Sequence, residues 1–358
     1  MENNEFEQRR RRVATGLAAR KLDALLVSFS PNLRYLSGFT GSNGALLLLP
    51  DRSILFTDPR YQIQAAQEST CQIRIGKGPL TDEVLAGVRR LGVWRIGYEP
   101  ARMTCEFFDV LKAKLPLRAS LELVRGWIEE MRMVKSPAEL ALIRRSVETN
   151  SRAFEHVVTR LKGRVSERDL AAELEYRMRR LGAEKPSFET IVAGGVRSAL
   201  PHAAPTADRL AGLVVVDMGA FQDGYASDMT RMLHVGTPPA KVKRMYRAVL
   251  EAQLAAIDAV RAGVRTTAVD AAARKVLRGY GLDRAFTHST GHGLGLEIHE
   301  PPRLGKRDKM RLQAGMAVTI EPGAYVEGFG GVRIEDTIVV TKTGCEILTP
   351  TPKTLRSL

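Results

Sequence analysis

Two short segments of the chain could do chemistry and resemble each other. Leu213–Phe221 reads LVVVDMGAF and Ala317–Tyr325 reads AVTIEPGAY: an apolar strand, a carboxylate, any residue, then glycine and alanine. Each is followed by a second strand pattern with a second carboxylate. Asp228 in GYASDMT comes eleven residues after Asp217, and Glu335 in GVRIEDT comes fourteen after Glu321. A carboxylate at a buried strand end is costly to desolvate unless it is paired or bound to metal. Four of them converging would repel one another, and two divalent cations would neutralise four such charges. Oxygen donors suit hard or borderline ions such as Mn²⁺. One such acid alone is best read as a turn or surface residue; four in a duplicated pattern point to a metal site.

Between the two segments lies Thr287–Glu300, THSTGHGLGLEIHE. His292 stands between Gly291 and Gly293, small neighbours that permit close backbone approach in a crowded site. His288 and His299 flank it. A histidine-rich, glycine-rich loop between two acidic hairpins fits a metal site better than packing.

These residues need elements to position them. Residues 1 to about 125 alternate strand patterns (Ala24–Phe29, Ala45–Leu49, Ser53–Thr57, Cys71–Gly76, Arg95–Tyr98, Ser120–Val124) with helical stretches near 82–91 and 104–114, as in a small α/β domain. Ser136-Pro137-Ala138-Glu139 is a capping box with proline at the first helical position and opens a helix to about Leu161. Ser166 opens another, ending near Gly182, and two more are predicted at about 240–262 and 267–280.

At the acidic hairpins and the histidine loop, the chain resembles the pita-bread metallopeptidases, the family of methionine aminopeptidases, aminopeptidase P and prolidase. The strings VDMGA, SDMTR, GHGLGLEIHE, EPG and RIED carry the resemblance across nearly all of residues 130–358. It implies an α+β pita-bread catalytic domain with an internal pseudo-twofold repeat over 128–358. The metal ligands it implies are Asp217, Asp228, His292, Glu321 and Glu335, holding two divalent ions, with Mn²⁺ favoured and Co²⁺ or Zn²⁺ also able to bind. Glu321 takes the place of the general base. His202 and His299 would contact the substrate and stabilise the tetrahedral intermediate. His288 reads either as a further substrate contact or as loop support, and Arg333, two residues from Glu335 on the same strand face, as orienting a ligand carboxylate. Asn32–Ala65 is similar to the creatinase-like N-terminal domain of the proline-specific members, implying an α/β domain over 1–127. Ser198–His202 resembles their SAxPH string, although Arg197 and Ala203 depart from the usual neighbours. The implied substrates are peptides with proline second, and the implied assembly is a homodimer. An aminopeptidase is favoured over a dipeptidase restricted to Xaa-Pro. A third possibility, of another class, is a pita-bread fold kept as a non-hydrolytic binding module; retention of all five ligand positions argues against it.

Composition narrows the rest. The chain has 358 residues with a net charge of +14, but the cations are dispersed and no nucleic-acid motif accompanies them. Arg9 to Arg12 form a run within a predicted helix, Asn4 to Arg20, and read as a solvated helix face. Three widely spaced cysteines argue against a disulfide framework or a thiolate zinc site. No signal-peptide or membrane-spanning pattern is present, so a cytoplasmic location with no membrane partner is expected.

Overall fold

The computed structural model describes residues 3–161 and 165–358, and the chain divides into two compact units, Met1–Arg132 and Met133–Leu358. Among the described residues no helix is long and apolar enough to cross a membrane, and Cys71, Cys105 and Cys345 are free thiols.

The first unit is built on a six-stranded mixed sheet, ordered Gln72–Ile75, Ser53–Thr57, Gly44–Leu48, Ala24–Val27, Arg95–Tyr98, Ser120–Leu123. The central strand ALLV is buried throughout, as expected of a strand covered on both faces. The arginine run departs from the sequence expectation. Arg9 and Arg10 are buried: Arg9 Nη1 donates to Tyr35 O at 3.0 Å and Arg10 Nη1 to Leu36 O at 2.9 Å. Those carbonyls belong to the last turn of a short helix, Ser30–Ser37, where a cation satisfies orphan acceptors and opposes the helix dipole. Only Arg11 and Arg12 form the solvated face.

This unit also buries a titratable group. Asn32 Nδ2 donates to Glu99 and to Glu129 Oε1, and Arg132 Nη1 donates to Asn32 Oδ1 at 2.6 Å. Burial, reinforced by the Glu129 charge and opposed by the Asn32 hydrogen bond, pushes the Glu99 carboxyl up to about 7. An acid with a raised folded-state pKa weakens the fold as pH rises. Below the ordinary value both states are protonated; between there and about 7 the unfolded chain ionises first, and above 7 the loss is constant, roughly 3 kcal/mol. Glu99→Gln should therefore flatten the fall in Tm expected of the unaltered chain between pH 5 and pH 8. An unchanged slope would contradict the assignment.

The second unit repeats one theme twice: two helices, then an antiparallel strand pair. Helices Pro137–Val158 and Glu167–Arg180 each begin at a capping box, Ser136/Glu139 and Ser166/Asp169, in which two orphan donors are satisfied reciprocally. They precede strand Leu213–Met218, which pairs with Met229–His234. Helices Ala240–Asp258 and Thr266–Gly279 precede strand Ala317–Ile320, which pairs with Asp336–Val340. Alternation along Leu213–Met218 divides its side chains between two cores. Val214, Val216 and Met218 pack with Phe154, Leu170 and Leu174 of the first helix pair. Leu213 and Val215 join Val249, Val269 and Ala273 of the second. Asp217 shares the parity of Leu213 and Val215, so the strand's period of two decides the face on which the carboxylate emerges.

Candidate active site

Register sets the four carboxylates side by side. In the first pair Asp217 lies opposite Thr230, with Asp228 just before the returning strand. In the second, Ile320 lies opposite Asp336, so Glu321 and Glu335 face each other immediately beyond the ladder. The pairs are joined where Glu335 N donates to Thr230 O at 3.3 Å. Buried Arg231 reinforces the junction by donating to the carbonyls of Thr230, Glu335 and Thr351 and to Asp336 Oδ1.

His292 enters from strand Gly291–Gly293. Its Nδ1 lies 3.0 Å from Gly293 O, an acceptor that fixes the proton on Nδ1 and leaves the Nε2 lone pair free. Nε2 lies 3.6 Å from Asp228 Oδ2 and 3.4 Å from Glu321 Oε1. Donor atoms of Asp228, His292 and Glu335 all lie within 4.8 Å of one another. A Cβ on Gly291 would fall 1.9 Å from Thr319 O, so only glycine lets this strand approach closely enough. Thr319 Oγ1 accepts from His292 N and donates to Glu321 Oε1 at 3.3 Å, tying the imidazole strand to the carboxylate strand.

The electrostatics are those of an anionic set short of positive charge. Burial first, then mutual repulsion, pushes the Asp228 and Glu335 carboxyls well above their usual range, and burial raises Glu321 to about 7. Asp217 Oδ1, Asp228 Oδ1 and Glu335 Oε1 are buried and accept no hydrogen bond. Unsatisfied buried carboxylate oxygens are costly, and oxygen-rich sites of this kind suit divalent cations. The donor set, four carboxylates and one imidazole, thus fits a metal pair. Arg333 is a buried cation built into the set. Nη2 donates to Asp217 Oδ2 at 2.6 Å, Nε to Thr230 Oγ1 at 3.0 Å and Nη1 to Tyr325 OH at 2.6 Å. Thr230 Oγ1 donates onward to Glu335 Oε2 at 2.7 Å.

Asp217, Asp228, His202, His288, His292, His299, Glu321, Arg333 and Glu335 all line one cleft of about 820 Å³. His202 and His299 are exposed at it. The His299 ring packs 4.4 Å from that of His292, centroid to centroid, and burial pushes its pKa down to about 4. His288 is likewise pushed to about 4 by burial, and its Nε2 lies 2.9 Å from Tyr325 OH. Tyr225 is buried, with its hydroxyl donating to Glu139. Sequence reasoning missed Tyr325, which joins His288 to Arg333, and Thr230, which joins Arg333 to Glu335. It also missed Arg303, paired opposite His292 in strand Glu300–Leu304. The signal for Tyr325 was present, since it ends the AVTIEPGAY echo.

Residues 141–342 match metallopeptidase family M24, and residues 9–134 match the creatinase/prolidase N-terminal domain. The chain belongs to metallopeptidase family M24. An Xaa-Pro dipeptidase of Pyrococcus horikoshii is 38% identical over 339 residues, covering 93% of this chain and 94% of that protein. The solved structure of an Xaa-Pro dipeptidase from Bacillus anthracis superimposes with a TM-score of 0.95 at 38% identity, covering 99% of this chain and 100% of that one. An X-Pro aminopeptidase from Thermotoga maritima gives 0.89 at 36% identity, covering 94% and 98%. The expected architecture, a creatinase-like N-terminal domain followed by a pita-bread catalytic domain, is borne out.

Proposed function

We propose that the chain is a two-metal peptidase that releases the N-terminal residue ahead of proline, with Xaa-Pro dipeptides as its preferred substrates. The observation that carries this is the convergence of four carboxylates and His292 Nε2 around buried oxygens that have no hydrogen-bond partner. Asp217, Asp228, His292, Glu321 and Glu335 would hold the ions, with Mn²⁺ favoured by the carboxylate-rich set and Co²⁺ or Zn²⁺ also compatible. Bound there, two divalent cations supply the Lewis acidity that activates water near neutral pH.

The chain's own residues do the rest. Glu321 Oε1 accepts from Thr319 Oγ1 at 3.3 Å, leaving Oε2 to take a proton from the attacking water and deliver it to the departing prolyl nitrogen. His202 and His299 stand at the cleft where the carbonyl oxygen of the scissile bond develops negative charge. Arg333 holds Asp217 by a charge-assisted hydrogen bond and so orients a ligand rather than touching substrate. The scissile bond is a tertiary amide with no N–H to recognise, so anchoring falls to the substrate's ends.

Arg303 favours the dipeptide. It and Arg333 are the two arginines of the cleft, and Arg333 is buried and committed. Arg303 is exposed, lies opposite His292 in register and donates through Nε to Ser289 Oγ at 3.2 Å. Directly paired antiparallel residues project from the same sheet face, so its guanidinium suits the carboxylate of a bound Xaa-Pro. The sequence alone favoured the aminopeptidase; the similarity to Xaa-Pro dipeptidases shifts the weight to the dipeptidase. The Thermotoga maritima aminopeptidase keeps longer peptides as a second reading.

The test is alanine release by the Mn²⁺-loaded protein from Ala-Pro and Ala-Pro-Ala, with a chelator control. Chelator-sensitive hydrolysis, faster on Ala-Pro, is expected. Faster cleavage of the tripeptide would install the aminopeptidase reading, and cleavage of neither would overturn the assignment.

A further inference from the structure

The cleft does not end at Arg303. A second cavity of about 360 Å³ adjoins it and shares His288, Ser289, Arg303 and Asp308 with it. Beyond those shared residues its walls include Arg274, Lys306 and Arg307. One of these charges is already paired and another side chain has its hydrogen bonds filled. Arg274 is paired with Asp270 at 2.7 Å and donates to the Phe286 and His288 carbonyls. Asp308 accepts from the backbone N–H groups of Arg303 and Met310, at 3.1 and 3.0 Å, and so pins the loop. Thr266 Oγ1 pins it again through Asp308 O at 2.7 Å. Lys306 and Arg307 are exposed. Among the described residues, neither they nor Arg303 has an ion-pair partner. Arg303 at the end of its strand and Lys306 and Arg307 on the loop after it thus present three cations without an ion-pair partner along two adjoining cavities.

We infer that this recess receives the residue following proline, and that it extends the substrate range to Xaa-Pro peptides carrying an acidic residue there. The inference rests on the proposed peptidase activity. In a dipeptide the C-terminal carboxylate sits at Arg303. One more residue carries the chain onward by about 3.8 Å per Cα step, taking the terminal carboxylate past Arg303 toward Lys306 and Arg307. A Glu side chain adds a second substrate anion to a recess lined by three cations and the one carboxylate of Asp308. The gain is in substrate capture and is screened by salt.

The measurement is kcat/KM of the Mn²⁺-loaded full chain on Ala-Pro, Ala-Pro-Ala, Ala-Pro-Glu and Ala-Pro-Ala-NH₂. We expect Ala-Pro-Glu to exceed Ala-Pro-Ala by at least about fivefold, with the amide poorest of the three extended peptides. Raising NaCl from roughly 0.05 to 0.5 M should erase most of that preference. The double substitution K306E/R307E should invert the ratio of Ala-Pro-Glu to Ala-Pro-Ala, which is read within one preparation and is independent of how much of it folds. The amide arm separates the terminal carboxylate from the side chain as the source of attraction. Hydrolysis of Ala-Pro with equal rates on Ala-Pro-Glu and Ala-Pro-Ala, or with no cleavage of any extended peptide, would overturn the inference and leave the peptidase standing. No hydrolysis of any of the four would remove both.

Discussion

Glu321→Ala lowers kcat on Ala-Pro by at least about 10³-fold while leaving Tm unchanged or raised. Two functions are lost together: a proton carrier, usually worth about 10²–10⁴-fold, and one donor of the proposed metal set. Stability moves the other way because burial raises the Glu321 carboxyl to about 7, the mark of a charge the fold holds at a cost. Deleting it relieves repulsion from Asp217 and Glu335, while the Glu321 backbone N–H still donates to Thr290 O at 2.7 Å. A purely structural residue would lose Tm in step with activity. Turnover near that of the unaltered protein would sink the proposed role, and differential scanning fluorimetry run beside the assay separates the cases.

Arg231→Met costs about 3–5 kcal/mol of stability, as expected when a buried charged network loses one member. Arg231 is 1% exposed and its guanidinium is shared among the carbonyls of Thr230, Glu335, Thr351 and Pro352 and the carboxylate of Asp336. Asp336 keeps Lys353 and Gln253 as partners, so the loss falls mainly on carbonyls that no methionine can satisfy. Because the Thr230 and Glu335 carbonyls belong one to each strand pair, urea unfolding should show a lower midpoint, and activity should fall with it. An unchanged midpoint would mean that Arg231 does not hold the two halves together.

Much of this architecture was legible because it is local. The capping boxes at Ser136 and Ser166, the proline at position 137 and the alternation of LVVVDM are readable within a few residues. The echo between Leu213–Phe221 and Ala317–Tyr325 then announced a duplicated strand pair. What escaped was set by partners distant in sequence. The burial of Arg9 and Arg10 follows from the carbonyl end of a helix 26 residues away, and that helix, Ser30–Ser37, had not been recognised. The same holds for Thr230, whose partner Glu335 is 105 residues away. Arg303 belonged to no repeat, and only the strand register with His292 gave it a direction.

The central claim is a metal pair held by Asp217, Asp228, His292, Glu321 and Glu335. Its most direct test is elemental analysis of the chain after Mn²⁺ loading and exhaustive dialysis, alongside His292→Ala treated identically. Close to two ions per chain, falling in the variant, is the expected outcome. Fewer than one ion in the unaltered chain, or the same content in both, would contradict the claim.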